Sequence, residues 1–334
     1  MRAWVLEQLG QPLRLRDRPA LVPAPGQLHL EVQACAVCRT DLHLVDGELP
    51  ETPLPRVPGH EIVGRVLALG SGVSGWQVGD RAGVPWLAWT CGVCDPCRRG
   101  DENLCVRARF TGQHVDGGFA TEVVADARFA VALPDHYSDE QAAPLLCAGL
   151  IGWRALKAAG PATRLGLYGF GAAAHLVAQL ARAGGQECYA FARPGDAAAV
   201  AFARTLGAIW AGGSDEPSPV PLDAAIIFAP VGALVPAALR AVRPGGTVVC
   251  AGIHMSEIPA FPYEILWGER TLRSVANLTR RDAREFFDVA ARTDFRVSTV
   301  RYALADANQA LSDLRAGRIS GAAVLRCQAD CTQP

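Results

Sequence analysis

Apolar and polar positions change rhythm along this chain, and the change divides it. Up to about residue 147 the apolar residues come in short runs between Pro and Gly. Leu28-His29-Leu30-Glu31-Val32 alternates strictly, and Glu61-Ile62-Val63-Gly64-Arg65-Val66 and residues 78–84 continue the pattern. Alternation over so few residues between turn signals predicts short strands, hence an all-β or mixed lobe. Near Ala142 the texture shifts. Residues 142–159 suit a helix or helix pair, 165–168 a buried strand, 172–183 a helix and 188–191 a second strand. Further strands are expected at 224–228 and 247–251 with helices between, and a loop at 212–221. Strands alternating with helices imply βαβ units and a parallel sheet, so the fold class is α/β. After about Asn277 the pattern predicts helices around 282–291 and 305–316 and a closing strand at 322–325, with no internal repeat.

Composition narrows the function classes. A chain of 334 residues suits two domains of roughly 150 each, and 50% hydrophobic content is enough to bury both cores. The 33 acidic and 32 basic residues leave a net charge of -1, which argues against nucleic acid as a partner. Lys157 is the only lysine. The first residues lack a signal-peptide pattern, and the longest apolar candidate, 165–183, is broken by glycines, His175, Gln179 and Arg182. The expectation is a cytoplasmic protein with no membrane segment.

The 11 cysteines carry the chemistry. Without a secretory signal, cysteine clusters favour metal or catalytic roles over disulfides. Cys91, Cys94, Cys97 and Cys105 offer four thiolates to one ion, the donor set of a closed structural zinc, with Gly92, Pro96 and Gly100 supplying turns. A redox dithiol or chance clustering is the alternative. A sparser set joins Cys38-Arg39-Thr40-Asp41-Leu42-His43, Gly59-His60-Glu61 and Cys147. Two cysteines and one histidine with a fourth position left open are what a catalytic zinc needs. Cys35, Cys188, Cys250, Cys327 and Cys331 read as buried or incidental thiols.

Together these motifs resemble the zinc-dependent medium-chain alcohol dehydrogenases, with the greatest likeness to the cinnamyl-alcohol-dehydrogenase-like and bacterial branches. The resemblance runs from Cys38 to the final strand. It implies a GroES-like β-rich catalytic domain over 1–147 and 277–334, and a Rossmann cofactor domain over 148–276. It implies two zinc ions per chain: a catalytic one on Cys38, His60 and Cys147, with Glu61 able to enter the shell, and a structural one on Cys91, Cys94, Cys97 and Cys105. Thr40 would touch the substrate oxygen and His43 would pass the proton to solvent. Asp41 is the candidate acceptor for the free nitrogen of His60, since ligating imidazoles need such an orienter.

Gly169-Phe170-Gly171-Ala172-Ala173-Ala174 is a G-x-G-x-x-A turn between a strand and a helix, suited to a dinucleotide pyrophosphate. At the end of the following strand an NAD enzyme places an acid, and here Ala192 is followed by Arg193. An arginine can pair with a 2′-phosphate, so NADP(H) is favoured over NAD(H), the alternative being that Arg193 is a solvated loop residue. Ile151 and Ala322 stand where relatives carry a threonine and an arginine toward the cofactor. By the same resemblance Trp86, Leu87 and Trp89 fall in a segment that lines the substrate channel of relatives, and with Val45 and Leu49 they would make an apolar pocket for primary aliphatic or aromatic alcohols and aldehydes, simple core packing being the alternative for each tryptophan. Polyol or secondary-alcohol oxidation, a non-catalytic zinc-binding module and a zinc-independent quinone reductase are the rivals. A homodimer or homotetramer is expected by resemblance.

Overall fold

The computed structural model describes residues 1–49 and 51–327, so Cys331 lies outside the described residues. The chain divides into two compact units. One runs from Met1 to Cys147 and resumes at Leu278; the other is Ala148–Asn277.

The first unit is organised by one long strand, Gln27–Val37. Its even positions Leu28, Leu30, Val32 and Ala34 are buried, and from Ala34 onward every residue is buried as the strand runs toward Cys38. It pairs antiparallel with Ile62–Leu69, Glu122–Asp126 and Ala322–Arg326, the last in the register Ala323↔Val37. Ala322–Arg326 in turn pairs in parallel with Thr299–Ala303, and Arg81–Val84 and Val131–Ala132 extend the other flank of this seven-stranded sheet.

The helix Arg280–Ala290 starts from a capping box between Thr279 and Asp282. Its Arg280 grips Glu102 through a backbone and three side-chain hydrogen bonds of 2.6–3.1 Å. Thr299–Ala303 was not expected from sequence, because its positions show no buried alternation.

The second unit is a six-stranded parallel sheet in the order Trp210–Gly213, Glu187–Ala192, Arg164–Tyr168, Leu222–Ile227, Val242–Cys250, Thr271–Ser274. In chain order this is 3-2-1-4-5-6, the doubly wound dinucleotide topology. The central strands are nearly continuous apolar runs because both faces are covered. Ala172–Ala183 packs Ala174, Val177, Ala178 and Ala181 onto one face, while Leu234–Ala241 buries Val235, Ala238 and Leu239 with the opposite set. The expected helix at 172–183 and strands at 165–168 and 188–191 match, whereas the expected loop at 212–221 is too long. Gly212 and Gly213 are strand residues, and a Cβ on Gly212 would meet the Trp210 ring at 2.6 Å. Among the described residues no helix is long and apolar enough to cross a membrane.

Candidate metal centres and nucleotide turn

The strand Gln27–Val37 delivers Cys38 directly to the N-terminus of a short helix, Arg39–Asp46, which the sequence pattern did not reveal. Cys38 acts as the N-cap: its sulfur accepts the Thr40 N–H at 3.3 Å, while its own N–H donates to Asp41 Oδ2 at 3.0 Å. The other oxygen of Asp41 accepts the Gly59 N–H at 3.1 Å and lies 3.3 Å from His60 Nδ1. One buried carboxylate thus ties the helix start to the turn bearing His60 and Glu61. Gly59 adopts φ +95°, and a Cβ there would sit 2.4 Å from the Phe119 ring and 2.9 Å from Cys35 Sγ, so this turn requires glycine. Cys147 arrives from elsewhere, on a π-helical turn Leu145–Gly149 that follows Pro144. Such turns interrupt regular helix where a side chain must be re-aimed.

These segments converge. His60 Nε2 stands 3.2 Å from Cys38 Sγ and 3.9 Å from Glu61 Oε1. One donor atom from each of Cys38, His60, Glu61 and Cys147 lies within 4.8 Å of the others. A hydrogen bond from Cys147, helped by the His60 charge, holds the Cys38 thiol well below its usual range against burial, and pushes Cys147 well above. Burial raises Glu61 strongly, with the Cys38 charge adding to it. For His60, burial favours the neutral ring, but Cys38 and Asp41 override it and raise its pKa. Among the described residues no arginine or lysine pairs with Asp41 or Glu61. Two sulfurs, an imidazole nitrogen and a carboxylate crowded out of water without a basic partner fit a divalent, soft-accepting cation.

The second cluster is local. Cys94 caps the helix Asp95–Arg99, which ends at Gly100, and Cys105 follows the single turn Glu102–Leu104. Cys91 Sγ accepts the Cys94 N–H, and Cys105 Sγ accepts from Cys91 and Arg107, all at 3.4 Å. Backbone N–H groups of Val93 and Cys94 lower the Cys91 thiol to about 5, while burial and Cys94 raise Cys97 to about 11. The four sulfurs lie within 4.8 Å of one another, which suits tetrahedral zinc.

Thr40 is buried beside Cys38, and His43, half-buried one turn on, hydrogen-bonds through Nδ1 to the exposed Glu48. The expected apolar pocket is only partly realised. Val45 and Leu87 are core residues and Leu49 packs on that core, whereas Trp86 lies beside His60 with ring centroids 5.9 Å apart. Phe110 stacks on Trp86 at 4.7 Å and His114 lies 5.4 Å from Phe110. Sequence reasoning missed both. The available signal was a strand-like Arg109-Phe110 pair just after the last clustered cysteine, which pairs with Leu87–Trp89.

In the second unit Gly169 ends its strand at φ +87°, where a Cβ would meet Ala229 at 2.8 Å. Gly171 opens the helix Ala172–Ala183, and a Cβ built there meets nothing within 4 Å. Ala174 is fully buried against the sheet. Ala192 is the last residue of its strand, and exposed Arg193 follows.

Residues 24–135 match the model of the alcohol dehydrogenase GroES-like domain. The chain is 49% identical over 337 residues to the Mycobacterium tuberculosis protein named "Probable alcohol dehydrogenase AdhA", covering 97% of each. It is 34% identical to an alcohol dehydrogenase of Geobacillus stearothermophilus over 98% of this chain and 99% of that one. The chain belongs to the zinc-dependent medium-chain alcohol dehydrogenase family. A solved cinnamyl alcohol dehydrogenase from Sorghum bicolor superposes with a TM-score of 0.89 at 25% identity, covering 98% and 97% of the two chains. The dehydrogenase described here is therefore an alcohol oxidoreductase, with a GroES-like first unit and a Rossmann second unit.

Proposed function

We propose that this dehydrogenase interconverts primary aliphatic or aromatic alcohols and their aldehydes with NADP(H), using a catalytic zinc on Cys38, His60 and Cys147 and a structural zinc on Cys91, Cys94, Cys97 and Cys105. The observation that carries the reading is the convergence of Cys38, His60, Glu61 and Cys147 within 4.8 Å. When bound, the zinc supplies Lewis acidity to the substrate oxygen and the nicotinamide exchanges hydride with the substrate carbon.

The chain's own groups do the rest. Cys38, His60 and Cys147 would hold the metal, and Glu61 is placed to enter its shell. Asp41 fixes the His60 ring through Nδ1. Thr40 receives the hydroxyl proton, and His43 carries it outward to Glu48, whose side chain is 42% exposed. Trp86 and Phe110 provide an apolar wall suited to a flat or aliphatic substrate.

Catalytic roles are assigned to 1–147 and 277–334, and cofactor binding to 148–276. Gly169 and Gly171 admit the pyrophosphate, and Ala174 lets the helix pack closely. NADP(H) is favoured because Ala192 offers no acid and Arg193 stands free of it at the strand end. A dimer or tetramer through the second sheet is supported by its open edge strand Thr271–Ser274, flanked by Tyr263 and Trp267 at 68% and 66% exposure. A cytoplasmic location completes the proposal.

The test is absorbance at the reduced-nicotinamide band, with both cofactors against primary aldehydes, ketones and polyols. Higher catalytic efficiency with NADPH and primary aldehydes is expected. Higher efficiency with NADH overturns the cofactor assignment, and higher efficiency with ketones or polyols overturns the substrate class.

A further inference from the structure

Two crossings of the second sheet lack an α-helix; that from Cys250 to Thr271 still carries a single helical turn, Tyr263–Ile265, and the other carries none. Parallel strands need a crossover connection, and in doubly wound sheets a helix usually supplies it and covers the sheet face. Between Gly213 and Leu222 the connection is instead residues 214–221, with no helix. Pro217, Pro219 and Pro221 fix φ and remove N–H donors, which keeps helix out of this strap after its opening turn at 214–215. Beneath it the sheet is paved with rings: Tyr168 lies parallel to Phe191 at 4.2 Å, and Phe191 meets Trp210 at 4.9 Å.

A cleft of about 640 Å³ remains between the strap, Tyr168, the end of the helix Leu234–Ala241 and the start of the strand Val242–Cys250. That volume is within the range of small-molecule sites. Tyr168, 2% exposed, lines it and contributes a hydroxyl with no hydrogen-bond partner among the described residues. Burial raises its pKa, so it stays a neutral proton donor.

Arg240, Arg243 and Arg270 line it as well. Arg243 pairs with Asp223 at 2.6 Å. Arg240 and Arg270 donate to the backbone carbonyls of Pro236, Val242 and Trp267, which leaves further guanidinium N–H groups on each. The acids Asp215 and Glu216 line the cleft near Gly213, at the opposite sheet edge, and Glu216 accepts the Gly213 N–H.

We propose that this cleft binds a small organic carboxylate with an apolar body. The carboxylate sits on Arg240 and Arg270, the body lies along Val220 and the proline strap, and the Tyr168 hydroxyl donates to a second oxygen of the ligand. Guanidinium forks recognise carboxylate and phosphate alike, but Asp215, Glu216 and Asp223 offset the three arginines in number, so the cleft suits a single negative charge rather than a dianion.

The test is calorimetric titration of the zinc-replete enzyme with 4-(4-methoxyphenyl)butyrate, with hydrogen exchange followed across residues 214–221. Saturable binding with slowed exchange in that segment is expected, and the corresponding neutral amide should bind at least about tenfold more weakly. Arg240→Glu, at an exposed position, should weaken binding about tenfold or more while basal turnover is unchanged. Tyr168→Phe, which preserves the ring stack, should weaken it roughly 2- to 10-fold. Binding without protection of 214–221, equal affinity for the amide, equal affinity in Arg240→Glu, or tighter binding of phenyl phosphate would each overturn the proposal.

Discussion

Two clusters of soft donors lie in the same unit, and they dispose of their charge in different ways. In the four-cysteine loop every donor comes from one short segment, and backbone N–H groups point at Cys91 and Cys105. No carboxylate is part of the set. The loop is a staple that needs little from the rest of the fold beyond the grip of Arg280 on Glu102. The second cluster gathers Cys38, His60, Glu61 and Cys147 from three separate segments and places carboxyls among thiols in a buried setting. Charge frustration of that kind is costly unless a cation relieves it, and it is tolerated where chemistry needs it. On the proposed reading, a metal held locally by like donors would stabilise, and one held by distant, mixed donors would be the reactive one.

This contrast can be broken at several points. The largest effect is expected at the convergent cluster. Cys38→Ser or His60→Ala should lower kcat by at least about a thousandfold, some 4 kcal/mol of barrier, with a native circular-dichroism spectrum and one zinc per chain retained. Full turnover in either variant, with its metal content measured, would end the catalytic assignment.

Asp41→Asn keeps the shape but weakens the acceptor on His60. Metal affinity or kcat should fall by about 10- to 100-fold, read by chelator competition and steady-state assay. An unchanged affinity and kcat would leave Asp41 as a helix cap alone.

Cys94→Ser should act in the opposite sense: one zinc lost, a melting temperature lower by about 5 °C or more, and kcat of the soluble fraction within a few-fold of the parent. Loss of activity at unchanged stability would reverse the two roles.

The smallest effect is kinetic. In metal-stripped protein, iodoacetamide should modify Cys91 at a rate flat above pH 6 and falling below about 5, since the thiolate is the nucleophile. Cys97, raised to about 11, should instead react faster with each unit of pH through 9. Equal rates at the two sulfurs, by peptide mass mapping, would show that the backbone N–H groups do not control the loop.

Much of the architecture was legible because period is a local property. The strands at 165–168 and 188–191 and the helix at 172–183 follow from runs and spacing that neighbours enforce. Thr271–Ser274 and Thr299–Ala303 were not legible, since edge positions half in water carry no apolar alternation. The helix Arg39–Asp46 hid because a sulfur, rather than Ser, Thr, Asp or Asn, caps its start. At the site, close spacing announced the four-cysteine loop, while the meeting of Cys38, His60 and Cys147 was inferred by resemblance. Phe110 beside Trp86, the second bond of Asp41 to Gly59, and the π-helical turn at Cys147 exist only in three dimensions. No spacing rule contains them.

The pairing of Ala322–Arg326 with Gln27–Val37 sets an order of events during synthesis. A ribosome adding about 5–20 residues per second needs roughly 15–60 s to travel from Val37 to Arg326. Throughout that interval Ala34–Val37 of the long strand lacks its partner on one flank, while the whole of Ala148–Asn277 emerges and has time to fold as its own unit. The unit Ala148–Asn277 is therefore synthesised in full before the strand that joins Ala34–Val37, in the unit with both cysteine clusters, exists.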